Sequence, residues 1–210
     1  MRGEYVDLVA KTPLPAGAEA LAFDIGTGTG VLAAVLARRG VQRVLATDSD
    51  ARALACAREN LARLGVGDRV QLVAADLFPA APAHRAALVV CNPPWLPARA
   101  GSSIERAVYD EDSTMLRGYL DGLAAHLLPG GEGWLILSDL AEHLGLRQRA
   151  DLQGWIAAAG LQVLGRVDTR PTHPKAGDAS DPLHAARARE VTSLWRLGVA
   201  LGAEPDAKRA

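Results

Sequence analysis

The sequence predicts an α/β fold: a mostly parallel sheet of seven strands with an antiparallel last strand and helices on both faces. Three observations predict it. Short apolar β-type runs alternate with longer helical patterns, the spacing between them suits βαβ units, and an Asp or Asn stands at or next to the end of each of the first four runs. At 210 residues the chain is long enough for one domain with a sizeable core and too short for two full ones.

Residues 1–19 are expected to lead into the fold as a helical segment, residues 20–200 to form the main domain and residues 201–210 to fray. LAFDI (Leu21 to Ile25) reads as the first strand, RVLATD (Arg43 to Asp48) as the second and RVQLVAAD (Arg69 to Asp76) as the third. AALVVCN (Ala86 to Asn92) reads as the fourth and GWLILSD (Gly133 to Asp139) as the fifth. A helix from Asp50 to Leu64 has Ser49 or Asp50 as N-cap, Glu59 four residues before Arg63, and Gly65 as its stop. Further helices are expected over Val31 to Arg39, Ser113 to Leu128 and Leu144 to Ala159. Leu161 to Asp168 and Val191 to Val199 complete the sheet, and the connection from Thr169 to Glu190 is long enough to be functional or mobile.

Composition removes several classes of function. Apolar residues make up 49% of the chain and charged residues 22%, which excludes a disordered, collagen-like or disulfide-scaffold protein. The 23 basic and 24 acidic side chains give a net charge of −1 without a long run of either sign, so no polyelectrolyte surface for nucleic acid is evident. Cys56 and Cys91 are the two cysteines, which favours a reducing, cytoplasmic compartment. The N-terminus lacks an apolar signal core, and no run approaches the roughly 20 apolar residues of a membrane span. Lysine is confined to Lys11, Lys175 and Lys208 while alanine abounds, a bias of GC-rich, bacterial type.

The first strand runs into a turn bearing Asp24, Gly26, Thr27, Gly28, Thr29 and Gly30, directly before a helix. Glycines there permit positive φ and close backbone approach, so the turn suits a nucleotide-like ligand at a helix N-terminus in a Rossmann-like fold. Gly28-Thr29-Gly30-Val31-Leu32-Ala33 satisfies the relaxed dinucleotide pattern, a weak signal alone. Asp48, eighteen residues after Gly30, stands where a carboxylate would accept hydrogen bonds from ribose hydroxyls. Asp76, in Ala75-Asp76-Leu77, closes the third run.

The fourth run ends in Cys91-Asn92-Pro93-Pro94-Trp95. Two prolines fix φ and lack N–H groups, so neighbouring carbonyls are free to face a ligand; Asn92 adds a side-chain acceptor and Trp95 a flat aromatic face with one N–H donor. Such a set suits a planar group ending in –NH₂.

Together these features resemble the class I S-adenosylmethionine-dependent methyltransferases, in the small-domain group that includes release-factor glutamine and ribosomal RNA guanine methyltransferases. Asp24-x-Gly26-x-Gly28-x-Gly30 resembles motif I and Asn92-Pro93-Pro94-Trp95 motif IV of the amino-methyltransferases. The resemblance runs from about Arg2 to Gly198 and implies that residues 20–200 are a catalytic domain. It implies S-adenosyl-L-methionine as cofactor, held by Asp24, Gly26, Thr27, Gly28 and Gly30 of the turn, by Asp48 and Ser49, by Asp76 and Leu77, and by Asn92. Asp24 would order the loop and hold the methionine end, and Asp76 would read the adenine amino group. Asn92, Pro93, Pro94 and Trp95 would be catalytic: the Asn92 side chain and Pro93 carbonyl holding the target nitrogen, Trp95 packing against its planar group. The implied acceptor is a protein glutamine or an RNA base amine.

Three departures stand out. Gly3 and Val6 replace a proline and a glutamate of the glutamine enzymes, and Trp95 replaces their usual tyrosine. In both groups target recognition comes from an additional N-terminal domain, so here a separate or missing recognition domain is expected, or recognition by the loops over 98–112 and 169–190. In the second case His173, Lys175, Asp181 and His184 would border the acceptor pocket, while His84, His126 and His143 read as surface or helix residues. No histidine or cysteine pair shows ligand spacing, so no metal is expected. Two other readings stay open: an NAD(P)-dependent oxidoreductase, which leaves the Asn-Pro-Pro-Trp turn unused, and a cofactor-binding subunit without activity.

Overall fold

The computed structural model describes residues 3–79, 85–97, 110–171 and 183–200. Its strands are β1 (Leu21–Ile25), β2 (Arg43–Asp48), β3 (Val70–Ala74), β4 (Ala86–Cys91), β5 (Leu127–Ser138), β6 (Leu161–Thr169) and β7 (Thr192–Val199). The helices of four residues or more are α1 (Glu4–Lys11), α2 (Val31–Arg38), α3 (Ala51–Arg63), α4 (Thr114–His126), α5 (Leu140–His143), α6 (Arg149–Ala158) and α7 (His184–Arg187). The strands form one sheet in the order β3-β2-β1-β4-β5-β7-β6. Neighbours from β3 to β5 pair in parallel, and β7 lies antiparallel between β5 and β6. This is the predicted fold class.

The central strands are continuous apolar runs because both their faces are covered. All six residues of β4 are buried, and from Leu88 onward they alternate between two cores. Leu88 and Val90 join Val9, Leu36, Leu61 and Trp134 on the face covered by α1, α2 and α3. Val89 and Cys91 join Phe23, Ile25, Leu120, Leu123 and Leu152 on the face covered by α4 and α6. α1 therefore packs as part of the first core, through Val6, Leu8 and Val9.

The turn before α3 resolves the choice of N-cap: the Asp50 side chain accepts the Arg52 N–H at 2.8 Å. Three expected boundaries need correction. β3 ends at Ala74, so Asp76 lies beyond the strand. β5 begins at Leu127 and not at Gly133, since Leu127 pairs with Ala86 and Glu132 with Leu88, with the intervening residues forming an irregularity that prolines and glycines disguise. The helix expected from Leu144 to Ala159 begins only at Arg149, as α6, and a separate short helix, α5, precedes the expected range. α5 closes with the Gly145 and Leu146 N–H groups donating to the Glu142 and Ala141 carbonyls, and α6 restarts with a reciprocal capping box between Gln148 and Asp151.

Among the described residues no helix is long and apolar enough to cross a membrane.

Candidate active site

Every parallel strand from β1 to β4 ends at one edge of the sheet, and the cavity opens there. Its volume is about 920 Å³. One wall is the turn between β1 and α2. The buried Asp24 carboxylate receives the Thr27 hydroxyl at 2.6 Å and the Ala33 N–H at 2.9 Å, so it closes the turn onto the first turn of α2. Both bonds reach Oδ2, which leaves Oδ1 for a cation in the cavity. Burial, opposed by these two bonds and reinforced by the nearby Asp48 charge, raises the Asp24 pKa to about 6.

Asp48 braces the same turn from β2. Its Oδ2 accepts the Gly28 N–H at 2.8 Å and its Oδ1 the Asp50 N–H at 2.9 Å. Gly28 sits at φ +55 with open space where a Cβ would stand, so a ligand can lie directly on the backbone. Gly30, at φ +79, does something else: a Cβ there would meet Ala57 of α3 at 3.1 Å. Its bare backbone lets α3 close against the turn, and it does not line the cavity.

The structure brings together nine of the ten residues predicted to bind cofactor: Asp24, Gly26, Thr27, Gly28, Asp48, Ser49, Asp76, Leu77 and Asn92 all line the cavity. Asp76 is exposed at its rim. Leu77 follows in a left-handed conformation at φ 64, its carbonyl accepting the Thr47 hydroxyl at 2.6 Å. Of the four residues predicted to be catalytic, Asn92 and Pro94 line the cavity, whereas Pro93 is buried and Trp95 is half-buried against both cores. The Trp95 indole N–H donates to Asn92 Oδ1 at 3.0 Å, and Tyr5 of α1 meets the indole edge-on with ring centroids 6.5 Å apart.

Sequence reasoning missed the opposite wall. Asp110 is buried and lines the cavity; its two carboxylate oxygens accept the N–H groups of Met115 and Leu116 at 2.9 and 3.1 Å, while its own N–H donates to the Leu96 carbonyl at 2.8 Å. It thereby ties the segment after Trp95 to the start of α4, whose residue Ser113 offers no side-chain cap. Met115 then leans over Gly26, and Tyr5 and Arg52 complete the lining. An Asp just ahead of an expected helix start is a capping signal that could have found Asp110. Tyr5 carries no such signal, because only the packing of α1 brings it to the site.

His173, Lys175, Asp181 and His84 lie outside the described residues. His184, expected at the acceptor pocket, opens α7 and does not line the cavity; α7 instead packs Ala186 against Leu96, Leu140 and Ala141. β6 ends and the antiparallel β7 begins at the ligand edge, since Thr192 pairs with both Ser138 and Thr169. His126 stacks on Phe78 in α4, and His143 faces Asp139 at 3.4 Å in α5. Among the described residues no group of three or more His, Cys, Asp or Glu could hold a metal ion.

An open, mostly parallel sheet with an acid-rimmed glycine turn and a large cavity at its carboxyl edge defines a Rossmann-like ligand-binding domain. The chain belongs to the methyltransferase small domain family, whose model matches residues 8–146. It is 35% identical over 166 residues to a release factor glutamine methyltransferase of Cereibacter sphaeroides, covering 72% of this chain and 57% of that protein. It is 33% identical over 155 residues to a tRNA1(Val) (adenine(37)-N6)-methyltransferase of Vibrio vulnificus, covering 72% of this chain and 63% of that protein. The chain thus spans about three-fifths of the length of these curated relatives. The fold is shared with the solved structure of an SAM-dependent methyltransferase from Thiobacillus denitrificans in complex with S-adenosyl-L-homocysteine, with a TM-score of 0.59, 18% identity, and coverage of 93% of this chain and 91% of that one.

Proposed function

We propose that this chain is an S-adenosyl-L-methionine-dependent N-methyltransferase acting on a planar amide or amino nitrogen, with a protein glutamine side chain as acceptor. The observation that carries the reading is the convergence of Asn92 and Pro94 with the Asp24–Gly28 turn, Asp48 and Asp76 on one cavity. The residues fit the cofactor chemically. Asp24 Oδ1 suits the methionine ammonium, the Asp48 carboxylate retains lone pairs for ribose hydroxyls, and the exposed Asp76 suits the adenine amino group. When bound, the cofactor supplies a sulfonium-activated methyl group.

The protein's part is alignment. Asn92 Oδ1 accepts an N–H of the target nitrogen, which orients the lone pair along the line of transfer and favours the pyramidal form of a delocalised nitrogen. The methylated nitrogen sheds its proton to solvent or a nearby carbonyl, so no dedicated base is needed. Asp24, Asp48, Asp50, Asp76, Asp110 and Glu111 line the cavity beside a single described cation, Arg52. That acidity attracts a cationic cofactor and repels nucleic-acid phosphates, which favours the protein acceptor. The tRNA adenine relative supports a second reading, an adenine amino group, which meets the same Asn92 acceptor. A cytosolic place of action agrees with the free thiols Cys56 and Cys91.

Transfer of tritiated methyl from labelled cofactor into purified release factor or a tRNA transcript tests the reading. Label in the release factor is expected. Asn92→Ala should abolish transfer while S-adenosylhomocysteine affinity stays within about fivefold, because one hydrogen bond is worth about 1 kcal/mol or less. Label in tRNA alone would replace the acceptor, and undiminished transfer by Asn92→Ala would remove Asn92 from catalysis.

A further inference from the structure

We infer that Trp95 is a positioning residue that acts through Asn92, fixing the orientation of its amide; the inference rests on the methyl-transfer reading of this cavity. Trp95 does not line the cavity, whereas Asn92 does. The indole instead lies half-buried against both cores and donates its N–H to Asn92 Oδ1 at 3.0 Å.

An indole nitrogen donates and never accepts, so the Asn92 atom facing it must be the oxygen. The bond therefore selects one of the two amide flips. It occupies one lone pair of Oδ1 and leaves the second for the target nitrogen. Reversed, the amide would present Nδ2–H, a donor, to a nitrogen whose own hydrogens need an acceptor. Tyr5 holds the indole in turn: its ring meets Trp95 at an interplanar angle of 84°, and it reaches the site from α1, which is anchored by Val6, Leu8 and Val9. The chain Tyr5, Trp95, Asn92 thus runs from the N-terminal helix to the atom that receives the substrate. A phenol or phenyl ring in place of Trp95 carries no ring N–H at this position, so the device depends on tryptophan.

Two measurements on the full chain test this. The first needs no acceptor. In ¹H–¹⁵N spectra the four tryptophans give indole signals, and Trp95→Phe identifies the one belonging to Trp95. Asn92→Ala should shift that signal upfield and speed its exchange with solvent, while Asn92→Asp, which keeps the acceptor, should preserve slow exchange. An indole signal unmoved by Asn92→Ala overturns the inference.

The second is kinetic, with release factor as acceptor and unchanged S-adenosylhomocysteine affinity as the check on folding. Trp95→Phe should lower kcat about tenfold or more, the scale of a misplaced reacting group, with acceptor KM changed by less than about twofold. Full kcat in Trp95→Phe combined with a raised KM in Trp95→Ala would identify a stacking surface and overturn the inference. Should the wild-type chain leave the release factor unlabelled, the proposed acceptor fails by itself and the indole measurement still decides the bond.

Discussion

Lowering the pH from 7 to 5 should weaken S-adenosylhomocysteine binding about tenfold, and Asp24→Asn should abolish that dependence. The magnitude comes from Asp24, whose pKa burial lifts from 3.8 to about 6 against the bonds from Thr27 and Ala33. About nine-tenths of the free chain then carries the carboxylate at pH 7 and about one-tenth at pH 5. If only the ionised form receives the ligand ammonium, the association constant follows that fraction. Return of the pKa to its ordinary value on binding limits the coupling to about 3 kcal/mol. Stability of the free chain moves the other way. The folded pKa lies above the unfolded one, so no cost exists below about pH 4; it accumulates as the pH rises toward 6 and reaches about 3 kcal/mol. Asp24→Asn should therefore leave the free chain at least as stable at neutral pH while losing ligand. Calorimetric titrations across this range at constant ionic strength read the effect, and none of the described histidines lines the cavity to confuse it. A flat profile in the native chain, or the same tenfold loss in Asp24→Asn, would refute the reasoning.

Three further outcomes follow from packing and charge. Gly30→Ala combines a left-handed φ with a Cβ placed 3.1 Å from Ala57, and should cost about 2–4 kcal/mol by denaturant unfolding. Gly28→Ala meets open space and should cost only about 1–2 kcal/mol, yet weaken ligand binding more, since its Cβ would project where the ligand lies. Glu132 accepts from Arg196 Nε at 2.7 Å and from Trp134 Nε1 at 2.9 Å; burial raises its pKa, but these bonds outweigh burial and the net shift is downward. Its stabilising contribution is thus present above pH about 4.5 and lost as the pH falls through the lowered value, and Glu132→Gln should reduce unfolding stability at neutral pH by about 1–2 kcal/mol without changing ligand affinity.

What the sequence revealed depends on which interactions are local. β1 and β2 were readable to the residue because a central parallel strand is buried on both faces and shows as an unbroken apolar run ended by Asp or a turn. The start of β5 was hidden, since Pro129, Gly130 and Gly131 break the run while one pairing of Leu127 with Ala86 restores the strand. The late start of α6 was visible only as Gly145 and the spacing of Gln148 and Asp151, signals easily absorbed into the helical period that follows.

The site divides the same way. Asp24, Asp48, Asp76 and Asn92 stand at or just beyond the carboxyl ends of successive strands, so strand order alone carries them to one edge. Gly30 was expected beside the ligand, but its role is closeness to α3, which depends on Ala57 far along the chain. Asp110 and Tyr5 reach the cavity through α4 and α1, and the Trp95 bond to Asn92 is a matter of rotamers that no spacing encodes.

The central claim is that the turn after β1 receives S-adenosylmethionine and not a dinucleotide. Paired calorimetric titrations with S-adenosylhomocysteine and with NAD test it most directly: saturable one-site binding of S-adenosylhomocysteine with no heat from NAD is the predicted result, and binding of NAD alone would contradict the account.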